Sequence, residues 1–314
     1  MTESERHTGQ VPADRAGSRL DAALAEMFPD FSRTRLRAWI EAGLVEVDGQ
    51  IWRPRDRLRG GESVVLHAVT EPEVRVEPED IPLAIVYEDE EILVIDKPPG
   101  LVVHPGAGNH AGTLQNGLLF YDESLAMLPR AGIVHRLDKD TGGLMVIARS
   151  LRAHTALAAA IAEHKVTREY MAVCRGRLIS GGTVDEPIGR HPVDRIRMAV
   201  VERGKRAVTH YRVKERFSAH TLVDVRLETG RTHQIRVHMA HLGHPLLGDP
   251  LYGGRLAVPQ GASDALRVAL HGFRRQALHA TRLELRHPVS GKRHELRSPI
   301  PRDMNALLIL LRSG

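Results

Sequence analysis

The stretch GIVHRLDKDTGGLMVIA, Gly132 to Ala148, decides how this chain is read. Ile133 and Val134 are apolar, and Leu144 to Ala148 has the composition of a buried β-strand. Between them stand His135, Arg136 and Asp138, and Gly142-Gly143 permits a tight backbone turn into the strand. A carboxylate held at such a place can be a nucleophile, a general base or a metal ligand. It can equally be a structural aspartate that accepts backbone N–H groups. The local sequence leaves these roles open.

Working outward, Glu91 to Asp96 (EILVID) is a second buried strand that runs into Lys97-Pro98-Pro99-Gly100. Glu169 to Cys174, Thr209 to Val213, Thr221 to Leu227 and Ala280 to Leu285 read as further strands. Leu151 to His164 is an alanine-rich helix, and Thr232 to Leu242 has helical spacing through Ile235, Val237, Met239 and Leu242. Strands do not alternate regularly with helices, so residues 83–314 are expected to form a strand-rich mixed domain and not a doubly wound parallel sheet. Residues 69–82, with Pro72, Pro78 and Pro82 among acidic residues, read as a linker. Residues 18–68 read as a small module. Leu20, Ala23, Leu24 and Met27 mark one helix, and Ser32 is a candidate N-cap for a second that carries Leu36, Trp39 and Ile40. A hairpin follows, with Val45 and Val47 leading to Asp48-Gly49, and Val64 to Leu66 form a last strand. Residues 1–17 are polar and aperiodic, which predicts a disordered tail.

The 314 residues are 42% hydrophobic but only 4% aromatic, so the core must be built from aliphatic side chains. The formal charge of +5 points toward a polyanionic partner, although a solvated basic surface gives the same excess. Arg33, Arg35 and Arg37 open the second helix, and Arg53, Arg55, Arg57 and Arg59 alternate after the turn. Arg190, His191, Arg195, Arg197, Arg203, Lys205 and Arg206 form a further basic stretch, suited to phosphates or to an ordinary exposed hairpin. Cys174 is the only cysteine, so no internal disulfide and no cysteine cluster for zinc is expected. No apolar run approaches the ~20 residues that span a bilayer, and the first twenty residues lack the apolar core of a signal peptide. A cytoplasmic protein without membrane association is the expectation.

Two patterns suggest metal chemistry and are set aside. Asp138-Lys139-Asp140-Thr141 fits the DxDxT pattern of haloacid-dehalogenase-type phosphatases. That family needs a fully apolar strand before the aspartate and further carboxylates for magnesium. Here His135 and Arg136 interrupt the strand, and Gly248-Asp249 is followed by no second acid. His233, His238, His241 and His244 cluster, but no thiol or carboxylate partners accompany them. Hydrogen bonding and RNA contact are their expected roles.

Gly132 to Ala148 resembles the motif around the catalytic aspartate of the RluA-type pseudouridine synthases, with Gly142 where that motif usually has serine. Gly230 to Gly253 (GRTHQIRVHMAHLGHPLLGDPLYG) is similar to a later motif of the same family, as are Arg168-Glu169-Tyr170 and Lys97 to Leu101. The resemblance covers residues 83–300. The module at 18–68 resembles the S4 RNA-binding domain, a combination found in the branch that acts on the large ribosomal subunit.

The resemblance implies an α+β fold: a mixed, largely antiparallel central sheet with flanking helices, plus the small N-terminal S4-like α/β domain. It implies an enzyme that isomerises uridines of large-subunit (23S) ribosomal RNA; a monomer is the default expectation, since no interface motif points either way. Asp138 would be the nucleophile, or alternatively the base of an elimination to a glycal, and would pair with Arg236. Arg136 would enter the space left by the flipped uridine, and Tyr170 would stack on the uracil or take its C5 proton. The reaction moves the ribose bond from N1 to C5 with no net redox, so it needs no cofactor and no metal. The chain carries no GxxxxGK[ST], and Gly106, Gly108 and Gly112 miss the dinucleotide spacing. By pattern alone Tyr170 can also be strand packing and Arg236 a surface helix residue. A non-catalytic RNA-binding or ribosome-assembly factor remains the alternative, together with the Asp-nucleophile phosphatase.

Overall fold

The computed structural model describes residues 4–31, 33–69, 76–106, 108–194 and 196–313. Ser32, Pro72 and Arg195, each singled out above, lie outside these residues. The chain divides into two compact units, Met1–Arg75 and Val76–Gly314.

The first unit contains β1 (Ser4–Gln10), α1 (Leu20–Met27), α2 (Arg33–Glu41), β2 (Val45–Val47), β3 (Gln50–Ile51) and β4 (Ser63–Val69), with strand order β1-β4-β2-β3. Leu24, Leu36, Trp39, Ile40, Val47 and Leu66 share its core. The expected disordered tail is corrected, because β1 pairs antiparallel with β4 from Ser4 opposite Val69 to Gln10 opposite Ser63. A β-ladder is made by backbone groups, which a polar sequence supplies as well as an apolar one. The strand needs few side-chain anchors: the His7 ring packs on Phe28 and Phe31, and Val11, just past its end, is buried. Two of the arginines expected to face phosphate are engaged within the unit: Arg33 pairs with buried Asp21, and Arg37 with Glu41 one turn on.

The second unit contains β5 (Ile85–Glu88), β6 (Ile92–Lys97), α3 (Leu114–Tyr121), β7 (Gly142–Ala148), α4 (Leu151–Ala162), β8 (Thr167–Arg175), β9 (Gly182–Asp185), β10 (Ile188–Arg190), β11 (Met198–Val200), β12 (Val208–Arg216), β13 (His220–Leu227), α5 (Gln234–His241), α6 (Asp264–Gly272), β14 (Leu278–Arg286), β15 (Arg293–Arg297) and α7 (Arg302–Ser313). Among the described residues, nine strands form the central sheet in the order β5-β6-β7-β14-β8-β13-β12-β9, with β15 paired to β14. β7 and β14 run parallel, and the other neighbours run antiparallel. The fold is α+β, with a mixed, largely antiparallel sheet.

Both sheet faces are covered, which explains why β6 and β7 are apolar without alternation. Leu93, Ile95, Met145, Ile147 and Ala172 meet α3 and α5 on one face. Ile92, Val94, Leu144 and Val146 meet α4 on the other, where Met171 and Val173 meet α6 and α7. The central β7–β14 pairing depends on Gly143. Its φ is 115°, and a Cβ there would lie 2.3 Å from the Ala280 carbonyl oxygen. The glycine pair is therefore needed for close strand approach, beyond the turn expected of it.

Part of the expected linker is also corrected. Val76 packs on the core of this unit, the Asn116 side chain donates to the Glu77 carbonyl at 2.8 Å, and Gly112 N–H donates to the Glu79 carboxylate at 2.9 Å. Proline and acid content signalled a solvated connector, yet these backbone and carboxylate acceptors find donors on the neighbouring helix and loop.

Candidate active site

Ile133 bridges Ile147, and Gly142 opens β7, so residues 134–141 form a loop that starts beside β7, enters its first residue and carries Asp138. Fixed groups on several sides hold this loop. Thr141 N–H closes on the Asp138 carbonyl at 3.0 Å. Lys97, fully buried at the end of β6, donates from Nζ to the carbonyls of Lys139 at 3.0 Å and of Pro98 and Leu101 at 2.9 Å each. Gln276 donates to Thr141 Oγ1 at 3.0 Å. Burial pulls the Lys97 ammonium down to about 7, against the charges of Asp140 and Asp138. Behind the loop, His135 Nε2 accepts the Val146 N–H at 3.1 Å. Burial, helped by Arg168, lowers the His135 imidazole to about 3, so it is neutral at physiological pH.

α5 delivers the second half of the site. Arg236 is only 4% exposed, so it is no surface helix arginine. Its Nη1 donates to Asp138 Oδ2 at 3.0 Å. Its Nε and Nη2 donate to Asp249 Oδ2 at 2.7 Å and Oδ1 at 2.9 Å. One guanidinium thus spans two carboxylates, with Asp249 as the bidentate partner. Burial alone would ease the Arg236 proton off, but the hydrogen bonds and charges of Asp249 and Asp138 reverse that and raise its pKa. Asp249 also accepts the N–H groups of Leu251 and Tyr252, and its carboxyl lies below the usual range because these donors and Arg236 outweigh burial. Its lone pairs are directed at Arg236 and the backbone, which removes it as the second acid of a phosphatase-type magnesium site.

His233 caps α5 in a left-handed conformation with φ 57°, an uncommon state for a non-glycine residue and one that clusters at functional sites. Its Nδ1 contacts Tyr252 Oη at 2.8 Å, and its Nε2 lies 4.0 Å from Asp138 Oδ1. The Arg236 guanidinium sits 5.0 Å from the Tyr252 ring centre. Tyr252 therefore braces both residues that face Asp138.

These groups open into a cleft of about 700 Å³. Asp138 is the one carboxylate among the described residues that line it, against five arginines: Arg130, Arg136, Arg168, Arg231 and Arg236. A concave wall with that charge balance concentrates polyanions. Arg136 is exposed on the loop, two residues from Asp138. Tyr170 lines the cleft from β8 while most of its ring is packed in the core. Burial raises its pKa, which keeps the phenol protonated and suits a stacking face better than a base.

The four singled-out residues, Asp138, Arg136, Tyr170 and Arg236, thus meet at one cleft although they come from a loop, a strand and a helix. The histidine cluster does not come together: His238 is buried between Thr209 and the Glu186 carbonyl, and His244 contacts the Arg175 carbonyl. The basic stretch is partly consumed as well. Arg197 bonds the Leu251 carbonyl and stacks on Tyr252, and Arg206 lies 3.6 Å from Asp185. Sequence reasoning missed Asp249, Tyr252 and the loop-holding role of Lys97. Asp249 had a signal, since it is the only acid in the block Gly230 to Gly253.

A family model described as RNA pseudouridylate synthase matches residues 91–241, and one described as S4 domain matches residues 18–64. The chain is 59% identical over 302 residues to a Xanthomonas campestris protein named ribosomal large subunit pseudouridine synthase D, covering 96% of this chain and 91% of that one. It is 55% identical over 314 residues to the Escherichia coli K12 protein of the same name, covering 100% and 96% respectively. Among solved structures, human RNA pseudouridylate synthase domain containing 4 superposes with a TM-score of 0.56 at 28% identity, covering 73% of this chain and 93% of that one. Among the described residues no helix is long and apolar enough to cross a membrane.

Proposed function

From the premise that this chain belongs to the RNA pseudouridylate synthase family and carries an S4 domain, we propose how its cleft converts uridines of large-subunit ribosomal RNA into pseudouridine. The observation that carries this reading is the Asp138 carboxylate, alone among five arginines and hydrogen-bonded to a guanidinium that a second carboxylate holds in place.

The target uridine must leave its stack to reach Asp138. The arginine-lined walls hold the flanking phosphates, and Arg136, exposed beside the nucleophile, fills the vacated space. Tyr170 offers a ring face to the uracil. Asp138 acts on the ribose as the N1–C1′ bond breaks and its electron pair passes to N1. The uracil turns within the cleft, C5 bonds to C1′, the C5 proton leaves and N1 regains one. Atoms and electrons balance without any added group. Arg236 donates one hydrogen bond to Asp138 and is fixed by two to Asp249, so the carboxylate is aimed before substrate arrives.

A ribosomal RNA substrate supports action in the cytoplasm. A purely RNA-binding role would need the cations but not a carboxylate braced in their midst. The test is a pseudouridine map of large-subunit ribosomal RNA from cells with and without this protein. Specific sites should lose modification in its absence, and identical maps overturn the reading.

A further inference from the structure

We propose that Arg130 is a backbone-phosphate ligand of this cleft, aimed by a strained turn built for that purpose. The proposal rests on the RNA reading above and adds a residue to it.

The turn Pro129–Gly132 precedes the Asp138 loop. Arg130 has φ 54° and ψ 38°, and Ala131 has φ 51° and ψ 41°, so two successive non-glycine residues lie in the left-handed well. Gly132 follows with φ 78°. Single residues visit this well at a cost, and consecutive ones are rare. Neither side chain offsets the cost locally, as an asparagine or aspartate would by bonding its own backbone. The turn persists because the surrounding structure holds it. Ala131 N–H donates to Leu128 O at 3.1 Å, Ile133 N–H donates to Arg130 O at 3.2 Å, and Ile133 bridges Ile147. Gly132 is pressed against β7, where an added Cβ would lie 1.9 Å from the Ala148 carbonyl oxygen. The turn is thus riveted to the strand into which the Asp138 loop returns.

What this fixed turn presents is a cation. Arg130 is exposed, lines the same cleft as Asp138, and has no hydrogen-bond or ion-pair partner among the described residues. Arg236, by contrast, is engaged by two carboxylates through three hydrogen bonds. Arg168 and Arg231 each bond a backbone carbonyl. A guanidinium fork held at the wall of a cationic cleft, with all donors free, matches a phosphodiester oxygen pair. Its place before the loop, and not within it, puts the contact beside the reacting nucleotide and not on it.

The experiment measures single-turnover tritium release from large-subunit ribosomal RNA transcribed with 5-tritiated uridine, across a salt series. The variants are Arg130→Gly, Arg130→Lys and Ala131→Gly. Glycine at 130 suits the left-handed backbone, so Arg130→Gly removes the cation without harming the fold. It should melt no lower than the unaltered protein. Its half-saturating RNA concentration should rise about 10-fold near 0.15 M salt, and the log–log salt slope should fall by about 0.7–0.9, the share of one phosphate contact. Its saturated rate should change less than about 3-fold, because the contact is made equally in ground and transition states. Arg130→Lys should recover the slope, and Ala131→Gly should melt higher with unchanged half-saturation. Unchanged half-saturation in Arg130→Gly overturns the proposal, as does a weaker half-saturation with an unchanged salt slope, or a loss confined to the saturated rate. Failure of the unaltered protein to release tritium would overturn the RNA-modifying reading itself, so the two failures are distinct.

Discussion

Asp249 grips Arg236 through two hydrogen bonds, Nε to Oδ2 at 2.7 Å and Nη2 to Oδ1 at 2.9 Å, and so leaves Nη1 for Asp138. Both partners of this grip are buried, so its loss leaves a desolvated guanidinium short of one charge. Asp249→Asn keeps the shape but breaks the bidentate pair. Single-turnover pseudouridine formation should fall about 10- to 100-fold, because moving a reacting group by up to about 1 Å can lose that much. Asp249→Ala should also lose about 3–5 kcal/mol in denaturant unfolding. Full activity in Asp249→Asn would show that Arg236 needs no second carboxylate.

Asp138→Asn removes the carboxylate proposed to react and keeps an oxygen for Arg236. The rate of pseudouridine formation should drop by more than about 10³-fold, the usual scale for loss of a nucleophile. RNA affinity, measured by filter binding, should hold within about 3-fold, because one neutral atom replaces a charge that repels phosphate. Residual activity near the normal level would move the chemistry to another group.

Buried histidines make the fold sensitive to mild acid. His135 is lowered from 6.5 to about 3 and His220 from 6.5 to about 4, mainly by burial. Below pH 6.5 the unfolded chain binds these protons and the folded chain does not. Stability is therefore fully present above pH 6.5 and is lost as pH falls from there toward 4 and then 3. The slope is at most about 1.4 kcal/mol per pH unit for each group. Between pH 6.5 and 5 carboxylates contribute little, so urea unfolding in that window isolates the histidines. His220→Asn should flatten the slope. An equally steep slope would exclude His220 as a contributor.

Gly143→Ala should destabilise the catalytic unit by more than about 3 kcal/mol. The added methyl meets the Ala280 carbonyl oxygen at 2.3 Å, and the φ of 115° disfavours any side chain. Thermal melting checks this. A shift of less than a few degrees would mean that β7 and β14 can separate at no cost.

Removing residues 1–75 deletes one compact unit and leaves the cleft residues in place. On intact large-subunit RNA the half-saturating concentration should rise by about 10-fold or more while the saturated rate stays within about 3-fold. Unchanged half-saturation would deny that unit a role in RNA binding.

How much of this was legible beforehand follows from range. β6, β7 and α4 were readable because each is a continuous or periodic apolar segment that reports its own burial. Segment 4–10 was misread because its pairing with β4 rests on backbone groups 53 to 65 residues away, which leave no trace in local hydropathy. Arg130 drew no attention at all, since a left-handed backbone at arginine and alanine has no compositional mark.

The sequence by itself determined the family, the α+β class and the nucleophile candidate, because those reside in contiguous motifs whose residue types and order carry the information. Only the tertiary structure decided which of the arginines are spent and which are free. Arg236 lies 98 positions from Asp138 and 13 from Asp249, and no local pattern says that one guanidinium spans both. A hydrogen bond depends on where its two atoms end up in space, and that is set by packing of the whole sheet and its helices and not by the spacing of residues along the chain.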